Sequence, residues 1–363
     1  MRPIVYLLFL LLIIFRVASI DYGYPEGKKI RVRGRVLTDP ITYDNSRFIK
    51  INGLGAYVDL FPEVNYGDKV TLEGTVKEEK LLGARVVSID EGGGLYVIRT
   101  KIISLYRKSL PEPHASLVSG IVLGSKSGMP ADFWEKLKAS GTAHVVVASG
   151  MNVTFVTSFM LNSLVHFTKR RNAIFIALAG AWLYVILSGF DAPLVRAAIM
   201  GSIAFGAQAA GRLSEAFRAL LVSAAIMIII SPEWIYDLGF ILSFIATLSL
   251  ILFESKVSAL LSRIVFVFKK DLATTIAAQI GVAPILFITF GSFNPLSPIV
   301  NVLILWTIPL IMIIGAVAAI IGLVVPVLGQ LIIYLAYPFT AWFTSIINLI
   351  PNLVFGNYLG QLG

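Results

Sequence analysis

The chain has 363 residues, of which 57% are hydrophobic and only 14% are charged. Soluble domains average about 45–50% apolar and about 25% charged residues, so the composition excludes an ordinary soluble protein and predicts a membrane protein. The formal charge of +9 suits lipid headgroups or nucleic acid as partners, and the absence of Cys excludes disulfides and thiolate metal sites.

Residues 1–20 contain one basic flank, Arg2, and an unbroken apolar run from Ile4 to Phe15. The small residues Val17-Ala18-Ser19 resemble a signal-peptide cleavage site, so a cleaved leader is one interpretation. Because a polytopic segment follows, we predict a retained N-terminal transmembrane helix over 1–20.

Residues 21–95 read as a small all-β unit. Basic residues alternate with apolar ones between Lys28 and Leu37, which is typical of a half-buried strand. Strand-like runs are Lys28–Leu37, Arg47–Ile51, Ala56–Phe61, Lys69–Val76 and Ala84–Ile89. Five short strands separated by turn residues predict an OB-like barrel, although a generic sandwich has the same pattern.

Residues 96–140 mix basic and apolar side chains at helical spacing, as around Arg99 and Arg107. A second short helix is predicted to begin near Pro130. This pattern is typical of helices that lie along the bilayer interface, with a solvated connector as the alternative.

Residues 141–363 are almost continuously apolar and form the predicted transmembrane domain. A spanning helix needs about 20 apolar residues. Proline, glycine and charge divide the segment into 142–167, 172–190, 193–210, 217–231, 236–254, 272–290, 296–323 and 327–349. The predicted fold is therefore a polytopic α-helical membrane protein with about eight or nine transmembrane helices, some broken, and a small extracytoplasmic barrel near the N-terminus.

Charge asymmetry gives the orientation. If Arg2 is cytoplasmic, the loops after 167, 210, 254 and 323 are cytoplasmic as well, and the first three are rich in Lys and Arg. The loops on the other side carry acidic residues, as at Glu233. We therefore expect a multi-pass protein of the cytoplasmic membrane whose barrel is extracytoplasmic.

Polar side chains inside predicted spans are expensive to insert and usually face a partner or a wet cavity. The pore candidates are His144, Ser149, Asn152, Asp191, Arg196, Asp237, Ser243, Gln279 and Asn301. Prolines such as Pro284 also interrupt spans, which favours a conduit. Asp191 has a simpler interpretation as a helix cap, and Arg196 as a residue that reaches the interface or pairs with Asp191 or Asp237.

A serine hydrolase is the one enzymatic interpretation. Five residues separate His144 from Ser149, which places the two side chains roughly 140° apart on a regular helix. They cannot pair unless the helix breaks, and no orienting carboxylate is adjacent. We predict no enzyme, no catalytic residues, no metal and no cofactor.

Several motifs, in order, resemble the ComEC competence family. They are Leu117–Gly124, His144–Val153, Ser188–Ala198, Gly211-Arg212, Asp237–Phe244 and Ser297–Asn301. The resemblance implies a channel that passes single-stranded DNA across the cytoplasmic membrane during natural transformation, preceded by an OB-like domain. Two departures are Asn152, where the family usually has His, and Ile241, where it usually has Gln.

Many members of that family continue into a metallo-β-lactamase-like domain with a His-x-His-x-Asp-His motif, which this sequence lacks. We therefore expect a separate nuclease, a DNA receptor outside, a motor ATPase inside because no phosphate-binding loop is present, and possible homo-oligomers.

The predicted DNA-binding residues lie on the barrel. They are Lys29, Arg31, Arg33, Arg35, Arg47, Lys50 and Tyr57. OB folds hold single strands with basic grooves and aromatic surfaces, but residues 21–140 carry nearly as many acids as bases, so an ordinary solvated face is an equal alternative. A small-solute permease and a membrane-anchored binding or assembly module remain as alternative functions.

Overall fold

The computed structural model describes residues 15–17, 24–42, 46–78, 80–147, 149–211, 215–261, 269–290, 294 and 296–354. The predicted N-terminal helix lies outside these residues except for 15–17, which are helical. A β domain comes first, and a larger helical domain forms the rest of the described chain.

The β domain is one six-stranded sheet. Its strands are β1 (Lys29–Arg35), β2 (Ile41–Thr42), β3 (Arg47–Ile51), β4 (Leu54–Val58), β5 (Lys69–Lys77) and β6 (Lys80–Asp90). Their order is β1-β5-β6-β4-β3-β2, with β4 and β6 parallel and the other neighbours antiparallel. The five predicted strands are present, and β2 adds a sixth that is too short to show a period.

The alternation in β1 separates a core face from an outer face. Val32 is buried in the β-domain core with residues such as Ile49 and Leu72, whereas Lys29 and Arg31 on the same strand are exposed. The antiparallel register places Arg31 opposite Glu73. Period-two burial therefore fixes which side of the sheet carries the basic residues.

The helical domain contains fourteen α-helices within the described residues. They are α1 (Leu95–Ser109), α2 (His114–Leu123), α3 (Ala131–Ala139), α4 (Ala143–Val146), α5 (Gly150–Leu164), α6 (Arg170–Leu187), α7 (Ala192–Ala209), α8 (Ala216–Ile230), α9 (Leu238–Leu260), α10 (Lys269–Phe290), α11 (Ser297–Leu305), α12 (Thr307–Val324), α13 (Pro326–Ile333) and α14 (Tyr337–Val354). Short 3-10 turns at Pro232–Tyr236 and Tyr334–Ala336 connect neighbouring helices.

Five stretches of the described chain are long and apolar enough to cross a membrane. They are Arg170–Leu187, Leu238–Leu260, Lys270–Thr289, Thr307–Val324 and Pro326–Leu349. These stretches make the chain a membrane protein with an N-terminal β domain, and the total of eight or nine spans stays a prediction.

Three of the predicted spans are divided in the structure, and one of them, 327–349, is divided only by the 3-10 turn Tyr334–Ala336. Residues 142–167 divide into the one-turn α4 and the longer α5, and residues 296–323 divide into α11 and α12 on either side of Trp306. Pro309 lies in the first turn of α12, next to the second break, whereas α10 continues through Pro284 without a break. Broken helices inside a membrane require protein or water around the freed backbone groups.

The segment predicted to lie at the interface contains α1, α2 and α3, and these helices differ in burial. Residues 115–123 of α2 are all buried, within a core that α12 and α14 share. On α1, Ile102, Leu105 and Tyr106 face this core, whereas Arg107 and Lys108 are exposed. The amphipathic pattern therefore describes α1, and an interfacial position remains a proposal for α1 and α3.

The turn between α12 and α13 lies beside the β domain. Gly322 and Pro326 line the same cleft as Tyr66 and Glu63 of the β domain. Regular alternation of the predicted spans put the loop after 323 on the opposite side of the membrane from the barrel. The position of this turn beside the β domain contradicts that part of the predicted topology.

Candidate functional site

Arg99 joins the β domain to the helical domain. Its side chain is only 3% exposed. Nη2 donates to both carboxylate oxygens of Asp39 at 3.1 Å, and Nη1 donates to the carbonyl oxygens of Leu123 at 3.0 Å and Leu187 at 2.8 Å. Those carbonyls belong to the last residues of α2 and α6, where helix ends carry unpaired acceptors and partial negative charge. One guanidinium group therefore connects a loop of the β domain to two helix ends.

Tyr66 and Lys126 complete the surroundings of Arg99. The Cζ atom of Arg99 lies 4.3 Å from the centroid of the Tyr66 ring. Burial raises the pKa of Tyr66 to about 12, so its hydroxyl is neutral near pH 7 and the contact is a cation–π interaction. The backbone N–H of Lys126 donates to Asp39 Oδ2 at 3.0 Å. We refer to Asp39, Tyr66, Arg99 and Lys126 as the junction cluster.

Arg196 lies where α7 meets α9. Its Nη1 donates to the carbonyl oxygen of Ser243 at 2.9 Å, and Nε is buried without a hydrogen-bond partner among the described residues. Arg196 forms no ion pair with Asp191 or Asp237, so the pairing interpretation does not describe this residue. Its charge is therefore balanced by a carbonyl dipole alone within the part of the chain that the structure describes.

The start of α5 approaches the guanidinium of Arg196 closely. A Cβ atom on Gly150 would lie 2.7 Å from Nη2 of Arg196. Glycine at this position leaves room for the guanidinium beside the break between α4 and α5. The break thus brings a helix end, rather than a helix side, to Arg196.

Asp191 and Asp237 both precede helices but act differently. Oδ1 of Asp237 accepts the N–H of Phe240 at 2.8 Å and caps α9. The side chain of Asp191 makes no capping hydrogen bond at the start of α7, contrary to the simpler interpretation of this residue. Burial raises the pKa of Asp191 to about 6, with Lys126 opposing the rise and Asp39 adding to it. Asp191 therefore changes charge near neutral pH, next to the junction cluster.

Ser149 and Asn152 share one face of the first turn of α5, as their spacing predicts. Ser149 Oγ donates to Asn152 Oδ1 at 3.3 Å, and Asn152 Nδ2 donates to the carbonyl oxygen of Ile121 at 2.9 Å. Asn152 is buried, so this pair ties α5 to α2. The helix does break between His144 and Ser149, but the two side chains form no hydrogen bond, and the arrangement is not that of a nucleophile and its base.

Gln279 and Asn301 belong to a second polar group, where α10 meets α11. Gln279 Nε2 donates to Ser297 Oγ. Asn301 is 1% exposed, and its Oδ1 has no partner among the described residues. A Cβ atom on Gly141 would lie 2.5 Å from Cβ of Ser297, so the turn before α4 packs directly on this group.

His144 lies between these two groups. The segment 141–150 touches Ser297 at its first residue and Arg196 at its last, and the side chain of His144 is exposed between them. The structure thus gathers Ser149, Arg196 and Ser243 at one end of the segment and Gln279 at the other. No contact joins the two polar groups directly within the described residues.

The basic face of β1 is largely paired with carboxylates. Glu73 lies 2.6 Å from Lys29 Nζ and 3.8 Å from Arg31 Nη2, and Asp90 lies 2.6 Å from Arg33 Nη2. The hydrogen bond and charge of Lys29 lower the pKa of Glu73, so this carboxylate stays ionised at neutral pH. Paired guanidinium and ammonium groups attract a phosphate less strongly than free ones.

The other predicted DNA-binding residues have separate surroundings. Arg35 Cζ lies 4.6 Å from the Tyr96 ring centroid, and Arg47 Nη2 lies 3.6 Å from Glu63. Lys50 is exposed and has no ion pair with a described residue, and the exposed ring of Tyr57 contacts Phe48. The seven predicted residues therefore do not form one continuous cationic surface.

The sequence pattern did not single out Arg99 as a site residue, although a signal was present. Arg99 lies three residues before Ile102 and seven before Tyr106, so helical spacing places it on the apolar face of α1. A charged residue on a buried face requires partners. The partners, Asp39 and the ends of α2 and α6, are distant in sequence and could not be named from it.

Comparison with known proteins identifies the family. The competence protein family profile matches residues 121–359. ComE operon protein 3 of Bacillus subtilis is 25% identical over 262 residues, which cover 71% of this chain and 32% of that protein. Competence protein ComA of Neisseria gonorrhoeae is 26% identical over 184 residues, 47% of this chain and 26% of the relative.

These matched regions span a third or less of the curated relatives, and no solved structure matches the chain. The family profile itself covers α3 to α14 completely, including the segment 141–150 and both polar groups. The chain therefore belongs to the competence protein family.

Proposed function

We propose that this chain forms the membrane part of a DNA-uptake system and passes a single DNA strand across the cytoplasmic membrane. Competence is the capacity of a cell to take up DNA, and both relatives carry the term or its operon in their names. Because the match covers only part of each relative, the activity of the whole relatives is a proposal for this chain.

Arg196 is the observation that carries the proposal. A strand of DNA brings one negative charge per nucleotide, and an uncompensated phosphate cannot enter hydrocarbon. Arg196 is a cation among the helices that has no carboxylate partner in the described residues, and its guanidinium lies at the break between α4 and α5. Such a group can exchange a carbonyl contact for a passing phosphate without leaving a buried carboxylate unpaired.

Four of the remaining pore candidates suit a wet passage, whereas the side chains of Asn152 and Asn301 are buried. On the segment 141–150, Ser149 is half-buried and His144 is exposed. Ser243 and Gln279, which belong to the polar groups at the two ends of this segment, are half-buried as well. Hydroxyl, amide and imidazole groups can contact sugar, base and water without binding a phosphate tightly. Asp191 and Asp237 lie at the starts of α7 and α9, where we propose that they mark the extracytoplasmic mouth.

We further propose that the β domain is an OB-type barrel on the extracytoplasmic side. The Greek-key strand order, with one parallel pair between β4 and β6, supports this fold. Lys50 and Tyr57 are exposed on neighbouring strands, so they are the best placed of the predicted residues to meet a strand first. Lys29, Arg31 and Arg33 would first have to leave their carboxylate partners.

The proposed system includes other components. A DNA receptor would deliver the strand from outside, and a motor ATPase inside would supply energy, because this sequence contains no phosphate-binding loop. A separate nuclease would degrade the second strand. Homo-oligomers remain a possible arrangement of the channel.

Uptake of labelled DNA tests the proposal in cells that lack this gene and receive variants of it. We expect Arg196→Gln to lower transformation by about tenfold or more, the result of losing about 1.4 kcal/mol or more of phosphate stabilisation. Arg218→Gln is the matched control, because Arg218 is exposed and pairs with Glu215 at 3.1 Å. Immunoblots of the membrane fraction show whether each variant is present. Normal transformation in cells with the complete deletion would overturn the proposal.

A further inference from the structure

A cleft of about 840 Å³ separates the β domain from the helical domain. One wall is α1, a second is the turn between α12 and α13, and the third is the β domain. Ile102 and Leu105 of α1 line this cleft at the edge of the buried core, and none of the pore candidates lines it. The proposed transport function therefore leaves the cleft without a role.

The α1 wall presents two free cations. Lys101 and Lys108 line the cleft seven residues apart, so they lie two turns apart on one helix face, with Ser104 between them. Both lysines are exposed, and neither has an ion-pair partner in the part of the chain that the structure describes. Two like charges on one face favour an anion that bridges them.

The opposite wall is largely apolar, with Gln330 as its polar residue, and it lies where two candidate spans meet. Gly322, Leu323 and Pro326 line the cleft where the candidate span Thr307–Val324 ends and the next one begins. Beside them Val324 is 81% exposed and Leu328 is 48% exposed. Exposed apolar side chains at the end of a membrane helix contact lipid, so the cleft opens where hydrocarbon meets headgroups.

The third wall limits the charge of the ligand. Glu63 and Glu91 of the β domain line the cleft and are exposed, and Glu63 also lies 3.6 Å from Arg47 Nη2. These carboxylates disfavour a ligand with surplus negative charge and can accept hydrogen bonds from an ammonium group. The three walls together match a molecule that carries a phosphate, an amine and an apolar chain.

We propose that this cleft binds a glycerophospholipid with a zwitterionic amine headgroup, of the phosphatidylethanolamine type. Lys101 and Lys108 hold the phosphate, Glu63 and Glu91 face the ammonium, and an acyl chain lies along Leu323. A DNA strand would satisfy the lysines but would leave the apolar wall and the carboxylates unmatched. The bound lipid fills the space between the β domain and the membrane helices.

Native mass spectrometry of the full chain in detergent tests this site, with phosphatidylethanolamine, phosphatidylglycerol or a short DNA single strand added separately. We expect the wild type to retain phosphatidylethanolamine in preference to phosphatidylglycerol. The double variant Lys101→Gln/Lys108→Gln should retain about tenfold less, because two charge-assisted contacts to the phosphate are lost. Leu323→Gln should also weaken retention, whereas Lys77→Gln, an exposed lysine of the β domain, should not.

Thermal unfolding shows whether each variant is folded before lipid is added, so a failure to fold is not read as a loss of binding. Equal retention of phosphatidylethanolamine by the wild type and the double variant would overturn the proposal. So would a stronger preference for phosphatidylglycerol, or DNA binding that depends on Lys101 and Lys108 while lipid retention does not.

Discussion

Arg99 and Asp39 share two hydrogen bonds of 3.1 Å across the boundary between the β domain and the helical domain. The same guanidinium also binds the carbonyl groups that end α2 and α6. Arg99 therefore holds the β domain against the helical domain, together with the hydrogen bond from the Lys126 N–H to Asp39.

Arg99→Lys is expected to weaken this boundary. A lysine cannot keep both bonds to the carboxylate, both carbonyl bonds and the contact with the Tyr66 ring. Removing one partner of a buried ion pair costs about 3–5 kcal/mol, and the lysine variant should lose a substantial part of that. Thermal unfolding in lipid nanodiscs measures the change.

Arg107→Lys is the matched control for Arg99, because Arg107 lies on the exposed face of the same helix. It should leave the midpoint of unfolding within about 1 °C of the wild type, as expected of a surface substitution. Equal midpoints for the two variants would contradict a structural role of Arg99 at the boundary.

Gly150→Ala is expected to act like a substitution of Arg196. The new Cβ atom would lie 2.7 Å from Nη2 of Arg196 and would force the guanidinium away from its present position. We expect transformation to fall by a factor similar to that of Arg196→Gln, with normal amounts of protein in the membrane. Gly201→Ala on α7 is the control, since a Cβ atom there meets no described atom within 4 Å. Undiminished transformation by Gly150→Ala would show that the position of Arg196 is unimportant.

Asp191 is expected to make the stability of the protein fall as the pH rises. Its folded pKa of about 6 is higher than the ordinary value of 3.8, so the folded protein favours the protonated acid. This stabilisation is complete below about pH 4 and is lost as the pH rises through 6. The midpoint of thermal unfolding of the wild type, relative to that of Asp191→Asn, should therefore decrease as the pH rises from 4 to 7. A difference that is constant over this range, or that grows with pH, would contradict the assignment.

Glu73→Gln is expected to strengthen binding of a DNA single strand to the β domain. The substitution releases Lys29 and Arg31 from their shared carboxylate and removes one negative charge. Affinity of the full chain in nanodiscs should rise, and its dependence on salt should steepen, because more counterions leave the DNA. Glu78→Gln, at the exposed turn after β5, is the control. No change in affinity with Glu73→Gln would mean that DNA does not use the outer face of β1.

The β strands were predictable because their signal is local. The alternation around Val32 reports burial on one face of one strand, and the structure keeps that pattern. The two-residue strand β2 was not predictable, since no period exists over two residues. The partners of the basic residues were not predictable either, because only the pairing of β1 with β5 brings Glu73 beside Lys29.

The helix breaks show a different limit of the sequence. The run from Ser297 to Val324 is mostly apolar, yet α11 ends at Leu305 and α12 begins at Thr307. Trp306 lies at this break, where its ring contacts Phe339 and Trp342 of α14. Hydropathy records that a segment is compatible with hydrocarbon, whereas the contacts of an individual side chain such as Trp306 depend on the fold.

The central claim is that the polar groups of the helical domain line a wet passage, and adjacent residues of α10 test it. Gln279 is half-buried and contacts Ser297, whereas Ile280 is 46% exposed on another face of the helix at almost the same depth. The sequence contains no Cys, so Gln279→Cys and Ile280→Cys each introduce a single thiol. The account predicts that a membrane-impermeant thiol reagent labels Gln279→Cys, that a DNA single strand slows this labelling, and that Ile280→Cys stays unlabelled. Labelling of Ile280→Cys alone, or of neither variant, would contradict it.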